Sequence, residues 1–254
     1  MTRPHAWVEQ LSSGRPSGSR GLRPSPGAPA AKRASRLWWG YATVAVTALV
    51  AEQGGARLLF GVALVALMPL LMAVLAGTSR QLSLDQGRRR LVALTLAALL
   101  FSWFGDATGP FFLLKVALFL VAPCCYILAF WPYRRASVWR RPGLAVAYLV
   151  AVALPVAVVV PHAGALTVPV LVYAASLALM ATLATGVGRA AGWGGSLFVL
   201  SDAILALDQF VGWFDVSHPL FWNVLTYAAS QALIVWGVLR RAARSAPSST
   251  TTAP

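Results

Sequence analysis

Acidic side chains are scarce: seven Asp and Glu stand against 21 Lys and Arg in 254 residues. Histidine is scarcer still, with His5 near the start and His162 and His218 in short breaks between apolar runs. None lies inside such a run, so neither a His-rich zinc site nor a Ser-His-Asp triad can be assembled at that depth. Cysteine occurs only as the adjacent pair Cys124 and Cys125. Neighbours cannot easily reach disulfide geometry, and the pair reads as two buried small hydrophobes. No Gly-rich loop is present to cradle a phosphate, and no continuous apolar core near the start marks a cleavable signal peptide. Charged residues make up only 11% of the chain and apolar ones 58%, with a mean hydropathy of +0.70. That balance excludes a soluble domain.

What is abundant is apolar sequence in blocks near the length a helix needs to cross ~30 Å of hydrocarbon. The expected fold is all-α, a polytopic membrane protein of eight spans at about 37–52, 58–77, 91–106, 110–131, 143–160, 164–186, 194–210 and 219–239. Residues 1–36 hold five Pro, four Gly and seven Lys or Arg with no apolar period, the composition of a disordered basic tail lying against anionic headgroups. A second disordered tail is expected over 241–254, leaving 37–240 as the membrane domain. With both termini on the cytoplasmic side, 19 of the 21 cations fall in inside segments, leaving only Arg57 in an outside loop and Lys115 within a span. This asymmetry follows the positive-inside rule and predicts a multi-pass protein of the cell membrane, in a bacterium the inner one. The net charge of +14 is thereby assigned to the membrane surface, and no nucleic-acid partner is expected.

The outer loops are short, so chemistry must reside among the spans. Span three ends with Ser102 and Asp106, four apart on one helix face, before Gly109 and Pro110 break the helix. Span seven carries Ser201 and Asp202 at its centre and Asp208 further on. An ionisable side chain at membrane depth costs roughly 2.5–3.5 kcal/mol and tends to mark a site. The competing reading is that Asp202 glues one helix to the next. Counting from Arg90 and Arg189 puts the acids of spans three and seven at similar heights. Two such acids can pair around one buried volume, one protonated and one ionised. Span eight adds Asn223, Tyr227 and Gln231 at successive turns, either lining that volume or hydrogen-bonding between helices. Span six offers Tyr173 and Ser176, for which core packing is the alternative. Lys115 either snorkels to the outer surface or pairs with Asp106 or Asp208.

Three segments carry a resemblance. Phe101-Ser-Trp-Phe-Gly-Asp106, Gly195-Ser-Leu-Phe-Val-Leu-Ser-Asp-Ala-Ile-Leu-Ala-Leu-Asp-Gln-Phe210 and Tyr227-Ala-Ala-Ser-Gln-Ala-Leu-Ile234 resemble the YhhN family of membrane proteins, over roughly residues 37–240. The family includes lysoplasmalogenases. The resemblance implies a membrane hydrolase that cleaves the vinyl-ether bond of lysophospholipid-like ether lipids, releasing a fatty aldehyde and a glycerophospho-alcohol; from the residues themselves no cofactor or metal is expected. By motif position it implies Asp106 and Asp202 as the catalytic pair. Ser102, Ser201, Tyr126, Tyr173, Asp208, Asn223, Tyr227, Gln231 and Lys115 are the candidate substrate-binding or supporting residues. Vinyl-ether hydrolysis needs an acid to protonate the enol carbon and a base to deliver water, which two carboxylates supply. The sequence departs from the family pattern at Pro123, where a His is usual three residues before the Tyr of span four. It departs again at Lys115, where a Gly is usual, and at Asp208-Gln209, where Asn-Arg or Asn-Lys is usual. The alternative function is a non-enzymatic carrier or binding protein for lipid or another small molecule, with the acids as a proton relay or as structural polar contacts; a degenerate family member that only binds lipid is the third.

Overall fold

A computed structural model describes residues 28–109 and 111–244. Among the described residues there is no strand, and eight long helices follow one another. They are α1 (Ala28–Gln53), α2 (Arg57–Ser79), α3 (Gln86–Ala107), α4 (Phe112–Phe130), α5 (Pro142–Val159), α6 (Thr167–Val187), α7 (Arg189–Phe210) and α8 (Pro219–Ala243), with short 3-10 turns after α4 and α5. The helices α2 to α8 supply seven segments long and apolar enough to cross a membrane. The first helix is long but more dilute in apolar residues, with Tyr41, Thr43, Thr47 and Glu52 along it.

Local chemistry sets the boundaries. Pro142 and Pro219 open α5 and α8, where a missing N–H leaves no helical hydrogen bond unmade. Asp85 caps α3 by accepting the Arg88 backbone N–H at 2.8 Å. That helix stops at Ala107, one residue past Asp106, and Gly109 takes the left-handed φ of +63° that a non-Gly side chain disfavours. Three boundaries differ from the sequence expectation. Residues 28–36, assigned by composition to the disordered tail, continue α1, because Ala28, Ala30, Ala31 and Ala34 are strong helix formers. The Gly-rich start of α7 is helical from Arg189, because its glycines lie against α6 and α8 rather than in water. Residues 1–27 and 245–254, the remainder of the expected tails, lie outside the described residues, whereas 241–243 extend α8.

The last helix is the centre of the bundle. It touches α1, α2, α3, α6 and α7, and is the most buried of the candidate spans. Helix α5 is the least buried and, among the long helices, rests mainly on α6 and α7. Without a hydrophobic force between helices in lipid, close packing must hold them, and small residues permit it. A Cβ on Gly194 would stand 2.8 Å from the Ile234 backbone nitrogen and the Ser230 carbonyl oxygen; one on Gly237 would stand 2.6 Å from the Ala191 nitrogen. One on Gly195 would meet the Ala181 Cα at 2.8 Å. Helix α7 is therefore pressed between α6 and α8 along its glycine-bearing faces.

Contacts also gather the cationic helix ends together. The Arg88 guanidinium bonds the Asp85 carboxylate at 2.8 Å and donates to the Ala242 and Arg244 carbonyls at 3.2 and 3.1 Å, tying the start of α3 to the end of α8. The bonds from Arg88, the backbone one foremost, hold the exposed Asp85 carboxyl below its usual range. The Val138 N–H reaches the Thr185 hydroxyl at 3.0 Å, and Arg241 lies over the Tyr133 ring at 4.6 Å. These contacts bring the ends of α4, α6 and α8 and the starts of α3, α5 and α7 to one face of the bundle.

Gly194→Ala is expected to lower the melting temperature of the detergent-solubilised protein by several degrees, from a clash of about 1–3 kcal/mol against α8 backbone. Gly61→Ala, whose added Cβ meets nothing within 4 Å, serves as the comparison and should leave it unchanged or raised. Equal melting temperatures for the two variants would show that α7 and α8 do not pack this closely.

Candidate functional site

The polar residues of α3, α6, α7 and α8 meet at the end of the bundle opposite the arginines. A cavity of about 340 Å³ opens there, lined by Asp106, Lys115, Tyr173, Ser201, Asp202, Gln209, Asn223 and Tyr227 among otherwise apolar side chains. Its apolar wall includes Val152 and Pro155 of α5, Phe119 of α4 and Val199 of α7. Asp106 and Asp202, on helices distant in sequence, thus face one shared volume.

Each carboxylate accepts a tyrosine hydroxyl from a neighbouring helix. Tyr173 on α6 donates to Asp202 Oδ2 at 2.5 Å, and Tyr227 on α8 donates to Asp106 Oδ2 at 3.1 Å. The Tyr227 ring is held edge-on by Phe119 at 6.2 Å and Phe198 at 5.7 Å between centroids. Gly105 makes room for this arrangement, since a Cβ there would stand 2.6 Å from the Phe119 ring. The glycine before Asp106 therefore matters for the aromatic it admits rather than for backbone freedom.

Two further groups of polar contacts surround the pair. On one side of the cavity the Asn223 amide donates to the Ser201 carbonyl and hydroxyl, both at 2.9 Å, and the Ser201 hydroxyl donates to the Asn223 carbonyl at 3.1 Å. This reciprocal clasp locks α7 to α8 one residue from Asp202. The second group lies outside the cavity wall. There Tyr126 of α4 donates to Gln231 Oε1 at 2.6 Å, and the Gln231 amide donates to Ser102 of α3 at 3.4 Å, all fully buried. The i, i+4, i+8 stripe of α8 thus divides its work: Asn223 and Tyr227 face the cavity, and Gln231 joins three helices beside it.

Two candidates have different surroundings. Asp208 is exposed and lines no part of the cavity. Six residues on from Asp202, it points roughly 120° away around α7. Lys115 is half-buried in the cavity wall and forms no ion pair; among the described residues the one ion pair is Arg88–Asp85. Sequence reasoning missed Gln209 and the apolar contribution of α5, because an apolar side chain facing a cavity looks like one facing lipid. It also missed Tyr41, which donates to the Ala228 carbonyl at 2.7 Å and fastens α1 to α8. An isolated Tyr in an apolar run gives no signal of its partner.

The arrangement offers two enclosed carboxyl groups with hydroxyl donors, one cation, and a mostly hydrocarbon wall. It suits an amphiphile more than a polar solute. The YhhN family matches residues 61–238, from α2 to near the end of α8, and this includes every cavity residue named above. Human lysoplasmalogenase TMEM86B is 34% identical over 184 residues, covering 70% of this chain and 75% of that protein. Rat lysoplasmalogenase TMEM86B is 36% identical over 75 residues, covering 30% of this chain and 31% of that protein. No solved structure matches. With the family match spanning most of its length, this chain belongs to the YhhN family.

Proposed function

We propose that this protein is a membrane-embedded hydrolase of the lysoplasmalogenase type, cleaving the vinyl-ether bond of a single-chain ether lipid. The observation that carries the reading is the cavity shared by Asp106 and Asp202, each with a tyrosine hydroxyl on its carboxylate. The relatives named as lysoplasmalogenases support it. In the proposed reaction one carboxyl protonates the enol carbon two bonds from the ether oxygen, leaving an oxocarbenium ion. The other accepts a proton from water as its oxygen adds to the cationic carbon. The hemiacetal then collapses: the second carboxyl gives its proton to the glycerol oxygen as that C–O bond breaks, and the hemiacetal hydroxyl passes its proton to the first carboxyl as the C=O bond forms, so both acids end as they began. One water is consumed, and an aldehyde and an alcohol are released. Tyr173 and Tyr227 orient the acids, and the Ser201–Asn223 clasp fixes the height of Asp202. Lys115 is the one cation lining the cavity and is assigned to the headgroup phosphate. The exposed Asp208 is left out of the mechanism.

The same reading places eight spans in the membrane, α1 being the eighth, with both termini cytoplasmic. The support is the gathering of Arg80, Arg88, Arg89, Arg90, Arg134, Arg135, Arg140, Arg141, Arg189, Arg240, Arg241 and Arg244 at the turns and helix ends of one side.

Two measurements test this proposal. Purified protein in detergent should release aldehyde from a lysoplasmalogen. Asp106→Asn and Asp202→Asn should each reduce the rate by ~10²–10⁴-fold, and Tyr173→Phe by about ten- to hundredfold, the value of one hydrogen bond to a charged group. Binding without aldehyde release would favour a lipid carrier, and turnover surviving both Asp substitutions would remove these residues from the chemistry. For topology, single cysteines replacing Ala56, His162 or Ser217 in a background without Cys124 and Cys125 should react with a membrane-impermeant maleimide in intact cells. Cysteines at Arg80 or Arg189 should not. The reverse pattern would invert the proposed orientation.

A further inference from the structure

A second void, of about 570 Å³, lies between α5 and α7 toward the arginine-bearing face. The two helices run side by side in the same direction, in register at the Tyr148–Ser196 hydroxyl contact of 2.7 Å. At its basic end stand Arg141 and Arg189, with Trp193 one turn above Arg189. Beyond them the walls are apolar, including Leu144, Ala147 and Ala151 of α5. The trough closes at Val152 and Val199, which also line the acidic cavity. Along α7, Arg189 and Val199 are ten residues apart, ~15 Å of helix. That is half of the ~30 Å hydrocarbon layer, the depth of one leaflet's chains.

Charge identifies the occupant. Among the described residues Asp85 is the one acidic side chain on the arginine-bearing face, and it is bonded to Arg88. Arg141 and Arg189 therefore have no carboxylate partner there. An anion with a hydrocarbon chain satisfies both halves of the trough. We infer that the α5–α7 trough is a binding site for an anionic phospholipid of the bilayer, distinct from the acidic cavity. Its headgroup phosphate sits between Arg141 and Arg189, and one acyl chain lies along α5 as far as Val152 and Val199. The bound chain backs the wall of the acidic cavity and holds α5, the most loosely packed span, against α7.

The test compares melting temperatures of the purified full chain in detergent with added phosphatidylglycerol, phosphatidylcholine or inorganic phosphate. Phosphatidylglycerol should raise the melting temperature by about 2–4 °C or more over phosphatidylcholine. Inorganic phosphate should not. The difference should vanish in Arg141→Gln/Arg189→Gln and persist in Arg134→Gln/Arg135→Gln, which removes equal charge from the same face outside the trough. Ala147→Phe fills the trough without altering charge at an exposed position, so it carries the test if the double Arg variant fails to fold; it too should abolish the difference. A shift that survives Ala147→Phe, is lost equally in both arginine pairs, or is reproduced by inorganic phosphate would overturn the site. None of these readouts depends on hydrolysis.

Discussion

A carboxyl group held among hydrocarbon side chains must find hydrogen-bond donors or stay in contact with water, because the lipid-like interior offers neither. This constraint organises the bundle. Asp106 and Asp202 are tolerated because Tyr227 and Tyr173 reach them from other helices and because both open onto one cavity. Four helices, α3, α6, α7 and α8, must hold their relative heights for those two bonds to exist. The carboxylates thereby act as register marks for the fold as well as candidates for its chemistry.

Holding that register falls to small residues and paired polar groups. Gly194 and Gly195 let α7 approach both of its neighbours, and Gly237 repeats the arrangement from α8. The Ser201–Asn223 clasp then sets the sliding position of α7 on α8, and the Tyr126–Gln231–Ser102 chain sets α4 and α3 against the same helix. Every one of these contacts involves α7 or α8, so the two last helices carry both the site and its support. Helix α5 has few such contacts and stands apart as an apolar panel closing one side of the cavity.

The bundle is polar in two senses. Asp106 and Asp202 meet at one end around a cavity, while most of the arginines gather at the other around the α4–α5 turn, the starts of α3 and α7 and the end of α8. A substrate in the proposed reaction would bring a hydrocarbon chain and a phosphate, and the cavity answers with apolar walls and Lys115. The valines shared by the two voids connect this region to the basic face. Lipid packed against α5 would thus bear on the cavity wall without touching a carboxylate.

The helical class, the seven strongly apolar spans and the candidacy of Asp106 and Asp202 were legible in the chain itself. Hydropathy blocks of membrane length and isolated acids within them are local properties that folding does not alter. The i, i+4 spacing of Ser102 and Asp106 likewise set their common face, whatever that face would meet. What the chain alone left open were the partners. That Tyr173 meets Asp202, that Gln231 rather than a cavity ligand holds Tyr126, and that Asp208 turns away depend on rotation and height of one helix against another. Those are decided by where glycines permit close approach between segments far apart in sequence, and apolar residues such as Val152 carry no mark distinguishing a cavity wall from a surface facing lipid.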